Sequence, residues 1–196
     1  MRLPYTPDPP APSTPQSDLD VIARIRDRRA PRPLQPLDRT LLHAPPIADG
    51  WNSFLGAVRT QSTLPADVRE LAISRVAVVN RAWYEWGHHA SLAVAAGVSQ
   101  AAMDAVKAAS GALKLADKVS HDLDDRQWAV LVLTDEMTRN VTVSDETFDA
   151  VKKAWSEREV VEIVATVSCY NCVSRFLVAL DVGERNATGP DHVVKH

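Results

Sequence analysis

The stretch Ala82-Trp83-Tyr84-Glu85-Trp86-Gly87-His88-His89-Ala90 gathers a carboxylate, two imidazoles and two indoles between two runs that read as helix. On a helix, Glu85 and His89 (i, i+4) share one face, and Glu85 and His88 (i, i+3) nearly share it. A carboxylate beside an imidazole is a proton-transfer pair: it can fix the ring's tautomer, favour its charged form, or exchange a proton with it. His88 and His89 project about 100° apart, so one of the two is expected to be structural. Trp86, one step from both polar groups, is the expected pocket wall and Trp83 a core residue.

These side chains must be positioned by the elements around them. Thr63-Leu64-Pro65 is a helix start, and Val68, Leu71, Ala72, Val76 and Val79 carry that helix to about Asn80. The helix bearing Glu85 spans about 82 to 96 and ends at Gly97. Ser99 caps a short helix to about Ala109, and residues 110 to 123 are irregular. Asp124 to Thr138 reads as helix, and Ser144 caps the next one. Ser156-Glu157-Arg158-Glu159 has capping-box spacing and opens the longest helix, ending near Asp181 before Gly183. No run alternates convincingly at period two, so the fold class is all-α. Tyr170, Asn171 and Arg175 interrupt the apolar last helix. Buried polar groups need partners, so these three are expected to line the site or a subunit contact.

Eleven of the 13 prolines fall within the first 46 residues. The expected organisation is a proline-rich N-terminal arm over 1–46, a helical domain over 47–184 and a polar tail over 185–196. Within the arm, residues 1 to 17 are expected to be extended or disordered, and Asp18 to Arg29 a short charged helix with Leu19, Ile22 and Ile25 on one face. Residues 30 to 46 are expected to be extended again.

The formal charge of −3 and pI near 6.1 argue against nucleic acid or an anionic membrane as the main partner. No apolar run is expected to reach the roughly 18 to 20 residues of a membrane span. Met1-Arg2-Leu3-Pro4-Tyr5 lacks a signal-peptide core, so the expected location is cytoplasmic. Cys169 and Cys172 form a C-x-x-C pair inside an apolar helical run, where core filling outweighs redox or metal work.

Glu85-Trp86-Gly87-His88 has the E-x-x-H spacing of di-iron helices, but no second such motif follows. The H-E-x-x-H zinc motif, the G-x-S-x-G elbow and the glycine-rich nucleotide loops are also missing. His43, His121, His192 and His196 fall in arm, loop or tail. Neither metal nor cofactor is therefore expected, and acid–base chemistry remains.

Arg69-Glu70-Leu71-Ala72-Ile73, followed by Tyr84-Glu85-Trp86-Gly87-His88-His89, resembles the carboxymuconolactone decarboxylase-like family, in the fold group of the alkylhydroperoxidase D peroxidases. The resemblance runs from about Trp51 to Gly183, and the Asp38-Arg39-Thr40-Leu41-Leu42 segment is similar to longer members. It implies an alkylhydroperoxidase D-like helical domain, assembly into trimers, hexamers or related homo-oligomers, and a site near a subunit interface. The peroxidase branch carries a glutamate, two cysteines spaced C-x-x-C, then a histidine. These positions fall on Glu70, Ala82, Glu85 and His89, so the thiols are missing where that branch would place them.

What the resemblance leaves is a carboxylate–imidazole set: Glu70, Glu85 and His89 as catalytic residues. His88, Trp86, Tyr170, Asn171 and Arg175 are then expected to bind the substrate. That set suits the decarboxylase branch, whose reaction is cofactor-free loss of CO2 from a small unsaturated lactone acid. Arg75, Arg81 and Arg175 are the expected anchors for the substrate's charge. A non-catalytic oligomeric binding protein of the same fold is the second reading, and a metal-dependent or thiol peroxidase-type enzyme the third.

Overall fold

The structure, a computed structural model, describes residues 1–120 and 122–191; His121, His192 and His196 lie outside the described residues. Every regular element among the described residues is helical. The chain forms two compact units, Met1–Ser62 with Leu180–Glu184, and Thr63–Ala179 with the residues from Arg185 onward.

In the first unit, α1 (Gln16–Arg29) buries Val21, Ile22 and Ile25 and packs against α3 (Pro45–Gly56). Between them lies α2 (Pro36–Leu41), in a region expected to be extended. The prolines misled that expectation: Pro36 and Pro45 open their helices, where a missing N–H costs nothing and the fixed φ already suits the helix. Asp38 is buried and answered twice, by the Gln35 N–H at 2.8 Å and by a two-point fork from Arg29 at 2.9 and 2.8 Å. Residues ahead of α1 are extended but tied down. The Thr6 N–H donates to the Arg39 carbonyl at 3.2 Å, and the Arg39 Nε–H returns a bond to the Thr6 carbonyl at 2.8 Å.

The second unit comprises α4 (Ala66–Val79), α5 (Trp83–Ala95), α6 (Gln100–Ala108), α7 (Asp125–Asn140), α8 (Asp145–Ala154) and α9 (Glu157–Leu180). α4 packs against α5 and α7 and, less extensively, α6. Every residue from Glu70 to Ala77 is buried, so α4 is a central helix with no solvent face along that stretch. Its Leu71 and Ala77 join Trp86 and Ala93 of α5, Met103 and Val106 of α6, and Trp128 and Leu131 of α7 in one core. Ser99 and Asp124 cap α6 and α7 as their spacing predicts. Thr63 does not cap α4; its N–H and hydroxyl both donate to Glu162, at 3.0 and 2.8 Å.

α9 departs from one expectation, since it is long and apolar enough to cross a membrane, with a mean hydropathy of 1.6. Part of that apolarity is used internally: Val160, Ile163, Val167, Cys169, Tyr170, Val173 and Leu177 are buried, whereas Val161 is exposed.

A central helix cannot carry a charge without partners, and Arg75 is fully buried. Its guanidinium meets Asp135 of α7 through Nε and Nη2 at 2.9 and 2.5 Å. The remaining donors reach the carbonyls of Val106, Ala109 and Gly111 at 3.2, 2.7 and 3.1 Å. Asp135 also accepts the Leu113 N–H at 3.0 Å and is held by Arg139. Burial lowers the Arg75 pKa while Asp135 opposes the shift. One ion pair thus ties α4, α7 and the irregular 109–113 segment together. Asp135→Ala is expected to cost about 3–5 kcal/mol, because it strands a buried cation. Chemical denaturation of the variant against wild type measures that loss.

Candidate active site

The site is built on the α4–α5 hairpin. α4 ends as the Ala82 N–H returns to the Ala77 carbonyl at 2.8 Å and the Arg81 N–H to Val78 at 3.2 Å. This is the Schellman pattern, with Arg81 in the left-handed position at φ 53° where glycine is usual. α5 closes the same way, and there Gly97 takes the strained position at φ 107°. The first of these reversals lays α5 back along α4 and brings together two residues 19 apart in the chain.

Those residues are Glu70 and His89, which lie 2.6 Å apart from Oε2 to Nδ1, both buried. A carboxylate oxygen accepts, so Nδ1–H is the donor, and a proton exchanged with a substrate passes through Nε2. Tyr170 of α9 sets its ring edge-on to the imidazole, with centroids 5.0 Å apart and planes at 81°. The other Glu70 oxygen, Oε1, meets Arg69 Nε at 3.4 Å.

Glu85 sits one turn before His89 on the same helical face and is only 2 % exposed. Neither of its carboxylate oxygens has a hydrogen-bond partner among the described residues. Burial alone pushes its pKa well above the usual carboxylate range, which holds the group as a neutral acid. A buried acid with no partner is a costly thing to keep in a core. It is the arrangement expected of a group reserved for a ligand or a transferred proton.

Cys169 is electrostatically coupled to Glu85, and its thiol is pushed up to about 12, by burial first, then by Cys172 and Glu85. Such a thiol stays protonated and is a poor nucleophile. Cys172 is exposed, and both cysteines are free.

The remaining sequence candidates fall elsewhere. His88 is half-buried; its Nδ1–H donates to the Tyr84 carbonyl at 2.7 Å and its ring tilts against Tyr84. Trp86 turns into the core and lines a pocket of about 320 Å³ between α5 and α6, whose lining includes neither Glu70 nor His89. Asn171 accepts from Asn80 at 3.2 Å and donates to Thr138 at 3.0 Å, making a polar clasp of α4, α7 and α9. Arg175 is exposed and bonds Asn171 of its own helix; Arg81 is exposed too, and Arg75 is consumed by Asp135. The residue that sequence reasoning passed over is Arg69. Its only signal was its place beside Glu70, which reads equally well as a solvated pair.

Residues 45–120 match the family model described as the carboxymuconolactone decarboxylase family, a segment that contains Glu70, Glu85 and His89. That segment of the chain is similar to the carboxymuconolactone decarboxylase family. Its fold is that of the alkylhydroperoxidase D-like proteins. A peroxidase-related protein from Ralstonia eutropha JMP134 with an alkylhydroperoxidase AhpD core superposes at a TM-score of 0.72 with 16 % identity, covering 96 % of each chain. A peroxidase-related protein from Silicibacter sp. TM1040 gives 0.70 at 14 % identity, over 94 % of this chain and 95 % of that one. The debrominase Bmp8 in complex with 2,3,4-tribromopyrrole gives 0.69 at 16 %, over 93 % and 91 %. No curated protein matches the sequence. The sequence reading paired His89 with Glu85; in the structure the hydrogen-bond partner of His89 is Glu70, one helix away, and Glu85 makes no such bond among the described residues.

Glu85 gives the site a pH signature. Unfolded, it ionises near pH ~4.3, whereas the folded protein holds it protonated to higher pH. Unfolding between those two values releases a proton, so stability falls as pH rises through that window. Glu85→Gln is expected to change little near pH 4 and to stabilise by about 1–3 kcal/mol at alkaline pH. Thermal melts of both proteins across pH check this.

Proposed function

We propose that this protein is a small-molecule-converting enzyme that runs cofactor-independent acid–base chemistry of the decarboxylase type, on a small unsaturated carboxylic acid or lactone. The observation that carries the reading is the buried 2.6 Å contact between Glu70 and His89. In such a reaction the bond from the carboxylate to its neighbouring carbon breaks, CO2 departs, and the electron pair is left on that carbon or its conjugated partner. A proton must then arrive at carbon. Glu85 in its neutral form is the donor, and His89, steadied by Glu70, resupplies or removes protons through Nε2. Tyr170 walls the imidazole, and a dry site encourages loss of the substrate's charge. His88 and Trp86 take supporting places on α5, and Asn171 with Arg175 braces α9 behind Tyr170.

The debrominase of like fold, seen with 2,3,4-tribromopyrrole, supports a small ring as the kind of molecule this scaffold accepts. We further propose that the chain works as a cytoplasmic homo-oligomer. Ile47 and Phe54, 58 % and 48 % exposed on α3, offer apolar surface for such assembly. Sedimentation of Phe54→Glu is expected to show a smaller species than wild type.

The reading is tested by incubating chelator-treated protein with a carboxymuconolactone and following CO2 release. Wild type is expected to turn over, and His89→Ala and Glu70→Gln to lose roughly 10²- to 10⁴-fold in kcat. Absence of wild-type turnover on this and related unsaturated acids would retire the decarboxylase reading.

A further inference from the structure

Loss of CO2 requires that something hold the carboxylate while the bond to it breaks; of the arginines the sequence offered, Arg81 is exposed and Arg75 and Arg175 are bonded elsewhere, and Arg139 and Arg126 are engaged too. Arg75 spends its donors on Asp135 and three backbone carbonyls. Arg139 is bound to Asp135 and to the carbonyls of Ser110 and Gly111. Arg175 is tied to Asn171 on its own helix. Arg126 lies over the Trp155 ring, 4.0 Å from its centroid.

Arg69 differs from all of these. Its side chain is 16 % exposed, so it is largely withdrawn from water, and its Nε touches Glu70 Oε1 at 3.4 Å. Its two terminal nitrogens make no hydrogen bond to any described residue. A guanidinium has five donors in a rigid planar fork, so Arg69 carries a two-point carboxylate acceptor site that the described residues leave open. Arg69 touches the same carboxylate whose other oxygen holds His89, so only the Glu70 side chain separates the guanidinium from the imidazole.

We propose that Arg69 is the anion-holding residue of the Glu70–His89 site and that its ligand is a small organic carboxylate. This rests on the Glu70–His89 pair being the reacting centre. A neutral lactone without a free acid would leave the fork empty, so the proposal selects the acid over the lactone as the ligand class.

The test uses benzoate and its uncharged isostere benzamide as probes, by titration calorimetry on the full-length protein. Wild type is expected to prefer benzoate by roughly tenfold or more, as for a hydrogen bond to a charged group. Arg69→Met is expected to bring the two affinities close together at an unchanged melting temperature. Arg69→Lys keeps the charge but not the fork and is expected to fall between. If Arg69→Met fails to fold, the lysine variant decides: reduced preference supports the proposal, and unchanged preference overturns it. A wild type without preference for benzoate overturns it as well. His89→Ala separates this from the catalytic reading, since it is expected to keep the benzoate preference while losing turnover.

Discussion

The structure depends on placing a carboxylate–imidazole hydrogen bond inside a helical core. Glu70 and His89 are each nearly excluded from water and meet at 2.6 Å. Either one alone in that position would carry the cost of an unpaired buried polar group. Together they need two helices held at fixed rotation and height, because an imidazole one residue away points about 100° elsewhere. The tight reversal at Asn80–Ala82, the burial of α4 on all sides and the packing of Tyr170 against the ring all serve that requirement.

Charge inside the core is distributed with the same economy. Arg75 and Asp135 form a saturated set whose partners are mostly backbone carbonyls, and it binds an irregular segment to two helices. Asn171 does comparable work with amide groups lower on α9. Glu85 is the exception, a buried acid given neither cation nor donor. A saturated network next to an unsatisfied group distinguishes architecture from chemistry. Cys169, coupled electrostatically to Glu85, is held as a protonated thiol and is a poor nucleophile.

Much of this was legible in the sequence for reasons that can be named. The shared face of Glu85 and His89 follows from helical periodicity, and the ends of most helices follow from caps and glycine. The family pattern named Glu70 and His89 but not their contact, because spacing alone does not say how a hairpin closes. Other features needed coordinates. Prolines read as breakers at Pro36 and Pro45, although at the first turn they start a helix as readily as they end one. Arg75 read as a substrate anchor because nothing local reveals that backbone carbonyls thirty residues on will absorb its donors. Asn171 and Arg175 read as polar intrusions lining the site or a subunit contact; in the structure Asn171 bonds Asn80 and Thr138, and Arg175 bonds Asn171 of its own helix. Arg69 was hidden by the ordinariness of an arginine beside a glutamate.

The central claim is that Glu70 fixes His89 through Nδ1 so that Nε2 handles the proton. Nitrogen-15 NMR of the His89 imidazole in the full-length protein, at alkaline pH where the ring is neutral, addresses it directly. The account predicts a ring protonated at Nδ1, with that resonance shifted or lost from slow exchange in Glu70→Gln. A neutral ring protonated at Nε2, or an Nδ1 signal indifferent to the loss of the Glu70 charge, would contradict it.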